Sequence, residues 1–120
     1  MPSTPNIVVR DERAVARAAR KLEQDAEVLP RMAELYKLIA NPVRIKILLA
    51  LGRVGPLCVG DIASLLGLSF AATSQQLKQL KDRGWLSTTN DGKQVYYELD
   101  NHDLHEALEG DLRMLRKGKR

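Results

Sequence analysis

The sequence holds a single cysteine, Cys58. That excludes an intrachain disulfide and a thiolate metal cluster within one subunit. Cys58 is read first as a small buried hydrophobe; a redox role is the alternative, and it needs exposure and a depressed pKa. Aromatic residues make up only 4% of the 120 residues, so Leu, Val, Ile and Ala must build the core. Long apolar runs are absent. The stretch from Ile45 to Leu51 is broken by Lys46 and is far too short to span a bilayer. The start, Met1-Pro2-Ser3-Thr4-Pro5-Asn6, lacks the basic opening and apolar run of a signal peptide. A cytoplasmic protein with no membrane partner is the expectation. Also missing are a glycine-rich phosphate loop, a Ser-His-Asp set and a Cys-His pairing, and both histidines lie in one terminal segment. No enzyme is expected.

Hydrophobic residues at 44% and charged residues at 28% give a globular balance. The length suits one domain with a thin core, to which dimerisation would add buried area. A net charge of +4 and a pI near 9.4 permit a polyanionic partner.

Residues 1–9 read as an N-terminal arm, 10–117 as the folded domain and 118–120 as a basic tail. A helix is expected over 10–28, where Val15, Ala18, Ala19 and Leu22 form one apolar stripe. A second helix opens at Pro30 and buries Met32, Leu35, Tyr36 and Ile39. Asn41 caps a third, with Pro42 at its first position and an apolar face of Ile45, Leu48, Leu49 and Leu51. Residues 60–66 form a short helix with Ile62, Leu65 and Leu66 inward, stopped by Gly67. Ser69 caps the helix 70–83. Two helices joined through Gly67-Leu68-Ser69 make a helix-turn-helix.

After Gly84 the period changes to two. Strands are expected at Trp85–Thr89 and Gln94–Leu99, with Asn90-Asp91-Gly92-Lys93 between them and the hairpin dipeptide Asp91-Gly92 inside it. A last helix, about 102–116, carries Leu104, Leu108, Leu112 and Leu115, and Asp100 is its expected cap. From Arg113 onward the chain holds five basic residues and no acidic one. The fold class is mainly α with a β-hairpin wing: a winged helix-turn-helix.

The 70–83 helix turns Thr73, Leu77 and Leu80 to the core. Its other face presents Ala71, Ser74, Gln75 and Lys78, without an acidic side chain. Such a helix fits a major groove about 12 Å wide without repelling phosphate. Gln75 suits adenine, Lys78 suits guanine or phosphate, and Ser69 and Ser74 suit phosphate oxygens. Lys93, at the wing tip, suits the backbone or minor groove. A protein-interaction module, with the same helix meeting a partner protein, is the alternative.

Four segments carry a family resemblance: Asn41-Pro42-Val43-Arg44-Ile45-Lys46-Ile47-Leu48, Leu57-Cys58-Val59-Gly60-Asp61-Ile62-Ala63, Thr73-Ser74-Gln75-Gln76-Leu77-Lys78-Gln79-Leu80 and Asp91-Gly92-Lys93-Gln94-Val95-Tyr96-Tyr97-Glu98-Leu99. In order and content they resemble the ArsR/SmtB family of metal-responsive repressors. The resemblance implies a homodimer built on the first and last helices, bound to two-fold symmetric operator DNA and released by a ligand. It adds Gln76 to the DNA-contacting set. It also supplies two metal-site patterns. The cysteine pattern is incomplete, with Cys58 alone and Gly60 in the second position. The Asp-x-His pattern is met by Asp100-Asn101-His102, but Arg113 and Arg116 stand where its other ligands belong, and guanidinium cannot ligate. The metal candidates are therefore Asp100, His102, His105 and Glu109, with His102/Glu106 and His105/Glu109 each sharing a helix face. No cofactor is required. Zinc or another divalent metal, oxidation of Cys58 and a small apolar molecule between the terminal helices are the candidate effectors.

Overall fold

The structure, a computed structural model, describes residues 7–118. Most of the expected arm and the last two tail residues lie outside that range. The chain divides into two units, one ending at Leu38 and one starting at Ile39.

In the first unit, helix α1 (Glu12–Glu23) starts where the Asp11 carboxylate accepts the Ala14 N–H at 2.9 Å. Glu12 in the first turn and Arg20 and Lys21 in the last complement the helix dipole. The expected helix over 10–28 is shorter, because residues 24–28 form turns before α2 (Leu29–Ile39). No residue of α1 is buried, and Val15 and Leu22 are 56% and 58% exposed. The buried face expected for α2 is likewise open. Met32 and Tyr36 are exposed, Leu35 is half-buried, and Ile39 alone of the set is buried.

The second unit begins with α3 (Pro42–Val54). Its cap is as expected: Asn41 Oδ1 accepts from Val43 and Arg44 at 2.8 and 3.3 Å. Its inner face is Ile47, Leu48 and Leu51, so Ile47 replaces the expected Ile45 and Leu49, which are half-buried. Leu57–Cys58 then forms a short strand, β1, that precedes α4 (Val59–Leu66). Gly67 takes a left-handed conformation (φ 68°), and Leu68 N–H returns to Ala63 C=O. This cap ends α4 at a position where a side chain would be strained. Leu65, expected inside, is 55% exposed; Val59, Ile62 and Ala63 are the buried residues.

Helix α5 (Phe70–Asp82) follows, with Ser69 Oγ accepting from Ala72 N–H at 3.1 Å. Strands β2 (Leu86–Asp91) and β3 (Gln94–Leu99) make the hairpin. Asp91 pairs with Gln94, so β2 runs two residues further than expected and the connection narrows from 90–93 to Gly92-Lys93. Gly92 has φ 64° and no non-glycine residue has positive φ, which is the type II′ pattern. The sheet has three strands in the order β1-β3-β2, all antiparallel. The two-residue β1 pairs Leu57 with Tyr97 and Cys58 with Tyr96. It was not expected, since two residues carry no legible period.

Helix α6 (His102–Gly118) is capped by Asn101, whose Oδ1 accepts from Leu104 N–H at 3.0 Å. Asp100 is therefore not the cap. Leu104 and Leu108 join a core of Ile47, Leu48, Leu51, Ile62, Leu77, Leu80, Trp85, Leu86, Tyr97 and Leu99. Leu112 is half-buried and Leu115 is 65% exposed. No helix among the described residues is long and apolar enough to cross a membrane.

Candidate nucleic-acid interface

Helix α5 is anchored by Thr73, Leu77 and Leu80, each at 0% exposure. That anchoring fixes where its other side chains point. Gln75 and Lys78 lie on the exposed face with Ala71, opposite the core. Ser69 is exposed, and its hydroxyl serves the helix cap. Ser74 is half-buried on the flank nearest the wing, where it shares a notch with Lys93, Gln94 and Val95 of the hairpin. The groove-sized helix and the wing tip thus converge on one side of the molecule. No acidic side chain lines that junction.

Gln76 sits elsewhere. It is half-buried on the opposite flank of α5, where its Oε1 accepts from Arg44 Nε of α3 at 3.1 Å. Arg44 also donates to Gln79 Oε1 at 2.7 Å. Gln76 therefore ties the helix to α3 rather than facing outward. Sequence reasoning missed this link, since a residue separation of 32 leaves no periodic trace. It also missed Phe70, which opens α5 and is 63% exposed. A phenylalanine at that point was legible in the sequence, but its exposure was not.

The metal candidates are not brought together. Among the described residues there is no group of three or more His, Cys, Asp or Glu placed to hold a metal ion. Asp100 and His102 are exposed. The His105 side chain is only 13% exposed and packs against Gly52. Its Nε2 lies 3.1 Å from Glu109 Oε2. Glu109 is engaged by Arg53 of α3, which donates Nε to Oε2 at 2.8 Å and Nη2 to Oε1 at 2.9 Å. Those hydrogen bonds pull the Glu109 pKa from 4.5 to about 2, partial desolvation opposing them, and raise the pKa of Arg53. A guanidinium occupies the carboxylate and repels a second cation. Arg53 and Glu109 thus clamp α3 to α6 with His105 packed beside them, and the His105–Glu109 pair, its carboxylate already taken, does not fit a metal. Cys58 is half-buried on β1 and unpaired with any other cysteine.

Comparison with known proteins decides the family. The pattern for "Bacterial regulatory protein, arsR family" matches residues 41–88. A transcriptional repressor SmtB homolog from Synechocystis is 36% identical over 70% of this chain and 70% of its own length. The chain belongs to the arsR family of bacterial regulatory proteins. A CadC homolog of Staphylococcus aureus, named for cadmium resistance regulation, is 35% identical over 65% of this chain; the match spans 64% of that protein. Among solved structures, the AntR antimony-specific transcriptional repressor superposes with a TM-score of 0.68 at 32% identity, covering 75% of this chain and 81% of its own. As an arsR-family member the chain is a DNA-binding transcriptional repressor of winged helix-turn-helix fold, and the alternative of a protein-interaction module falls away.

Proposed function

We propose that this repressor binds a two-fold symmetric operator as a homodimer in the cytoplasm, with α5 in the major groove and the β2–β3 wing on the adjoining backbone. The observation that carries this reading is that Ser74 of α5 and Lys93 of the wing line one notch that has no carboxylate in its lining. Gln75 and Lys78 supply base-edge contacts, and Ser69, Ser74 and Lys93 supply phosphate contacts. Gln76 acts indirectly, holding α5 against Arg44. The homodimer is supported by apolar surface left open on both terminal helices. Val15 and Leu22 of α1 and Met114 and Leu115 of α6 are all more than half exposed, and a second copy would bury such stripes.

Release from DNA requires a signal that binds the free and DNA-bound forms unequally. Relatives are named for cadmium and antimony. Arg53 already holds Glu109, so no metal step is assigned. Footprinting on DNA upstream of the chain's own gene tests the reading. It predicts a protected site with two-fold symmetric halves spaced by about one helical turn. Protection without symmetry, or none at all, would refute it.

A further inference from the structure

We propose that Phe70 and Val95 form an apolar clip for the methyl group of a thymine at the edge of the operator half-site. This inference rests on the DNA-binding reading above and specifies what one part of that interface reads. Phe70 begins α5 and is 63% exposed; Val95, on β3, is 38% exposed. Both line a notch of about 240 Å³, with the buried Val59 and Tyr97 at its base and Ser74, Lys93 and Gln94 completing its lining. The floor residues are buried at 7% and 8% exposure, so the base of the notch is fixed by the core. The walls are free to meet a partner.

The lining matches one base better than the others. In the major groove thymine presents a methyl group beside an O4 acceptor, and cytosine presents a donor and no methyl. The notch offers apolar walls beside the Ser74 hydroxyl, the Gln94 amide and the Lys93 ammonium, each of which can donate to a carbonyl or phosphate oxygen. No carboxylate lines it. The notch is also continuous with the proposed DNA face, since Ser74 and Lys93 belong to both. An aromatic side chain left open at the start of a groove-entering helix thus has an occupant of matching chemistry.

The test uses the full chain. A random double-stranded DNA library is selected with the wild type and with Phe70→Ser, and deoxyuridine then replaces each thymine of the selected duplex in turn. Deoxyuridine lacks only the methyl. The wild type is expected to enrich an A·T pair at one position per half-site. Deoxyuridine there should weaken it by about fourfold, the value of one buried methyl-sized group. Phe70→Ser should bind the thymine and uracil duplexes equally and lose the enrichment, while Phe70→Leu keeps part of it. A wild type indifferent to every uracil, or a Phe70→Ser protein still sensitive to the same one, overturns the clip and leaves DNA binding intact. Recovery of no DNA by the wild type overturns both.

Discussion

Gln75 and Lys93 carry different kinds of information in this account. Gln75 lies on the exposed face of α5 and Lys93 at the wing loop. Gln75→Ala is expected to cost about 1–3 kcal/mol on the best operator and to relax base preference at one position, whereas Lys93→Ala weakens all sequences alike. Competition binding against single-base operator variants separates the two. Thr73 gives a stability prediction at the same scale. It is fully buried, and its hydroxyl has no hydrogen-bond partner among the described residues. Thr73→Val keeps the shape and removes the orphan group, so the fold should be unchanged or stabilised by about 1 kcal/mol in a denaturant titration. The core positions Thr73, Leu77 and Leu80 were legible, because a helical period marks a buried face directly. The flank positions were not. Whether Gln76 or Phe70 faces a neighbour depends on where α3 and the wing lie, and local periodicity does not encode that.

Between elements, the α3–α6 contact is the most specific. Gly52 faces the His105 ring so closely that an added Cβ would overlap it. Gly52→Ala should therefore destabilise by about 1–3 kcal/mol through overpacking, and His105→Ala should relieve most of that in a double-mutant cycle. Beside it, Arg53 holds Glu109 with a pKa near 2. A carboxylate pKa depressed by folding contributes stability above its unfolded value. That contribution fades as pH falls from about 4.5 toward 2. Thermal unfolding of wild type and Glu109→Gln should therefore differ at pH 6 and converge across that acid window. A constant difference would remove the Arg53–Glu109 pair from the account. The clamp could not be read from sequence, because His105 and Glu109 at i, i+4 look the same whether they hold a metal or meet an arginine. The wing was legible from its period of two and its glycine. The strand β1 and the Asn101 cap turn on one or two residues, below the length at which a pattern exists.

At the scale of the whole molecule, family and fold class were legible, since four motif segments in fixed order carry them. The terminal helices were only half legible. Their stripes were visible, but a single chain leaves Val15, Leu22, Met114 and Leu115 open. Met114→Glu with Leu115→Glu is expected to shift the protein from dimer to monomer in sedimentation velocity and to weaken operator binding. A dimer indifferent to both changes would remove α6 from the interface. In the proposed complex, α5 and the wing bind DNA through phosphate neutralisation and base contacts. The most direct measurement of that binding mode is fluorescence anisotropy on operator DNA across a salt series. Affinity should fall log-linearly with a slope of about −0.9 per phosphate contacted, made shallower by about one in Lys93→Ala. Affinity flat with salt, or a slope untouched by Lys93→Ala, would contradict it.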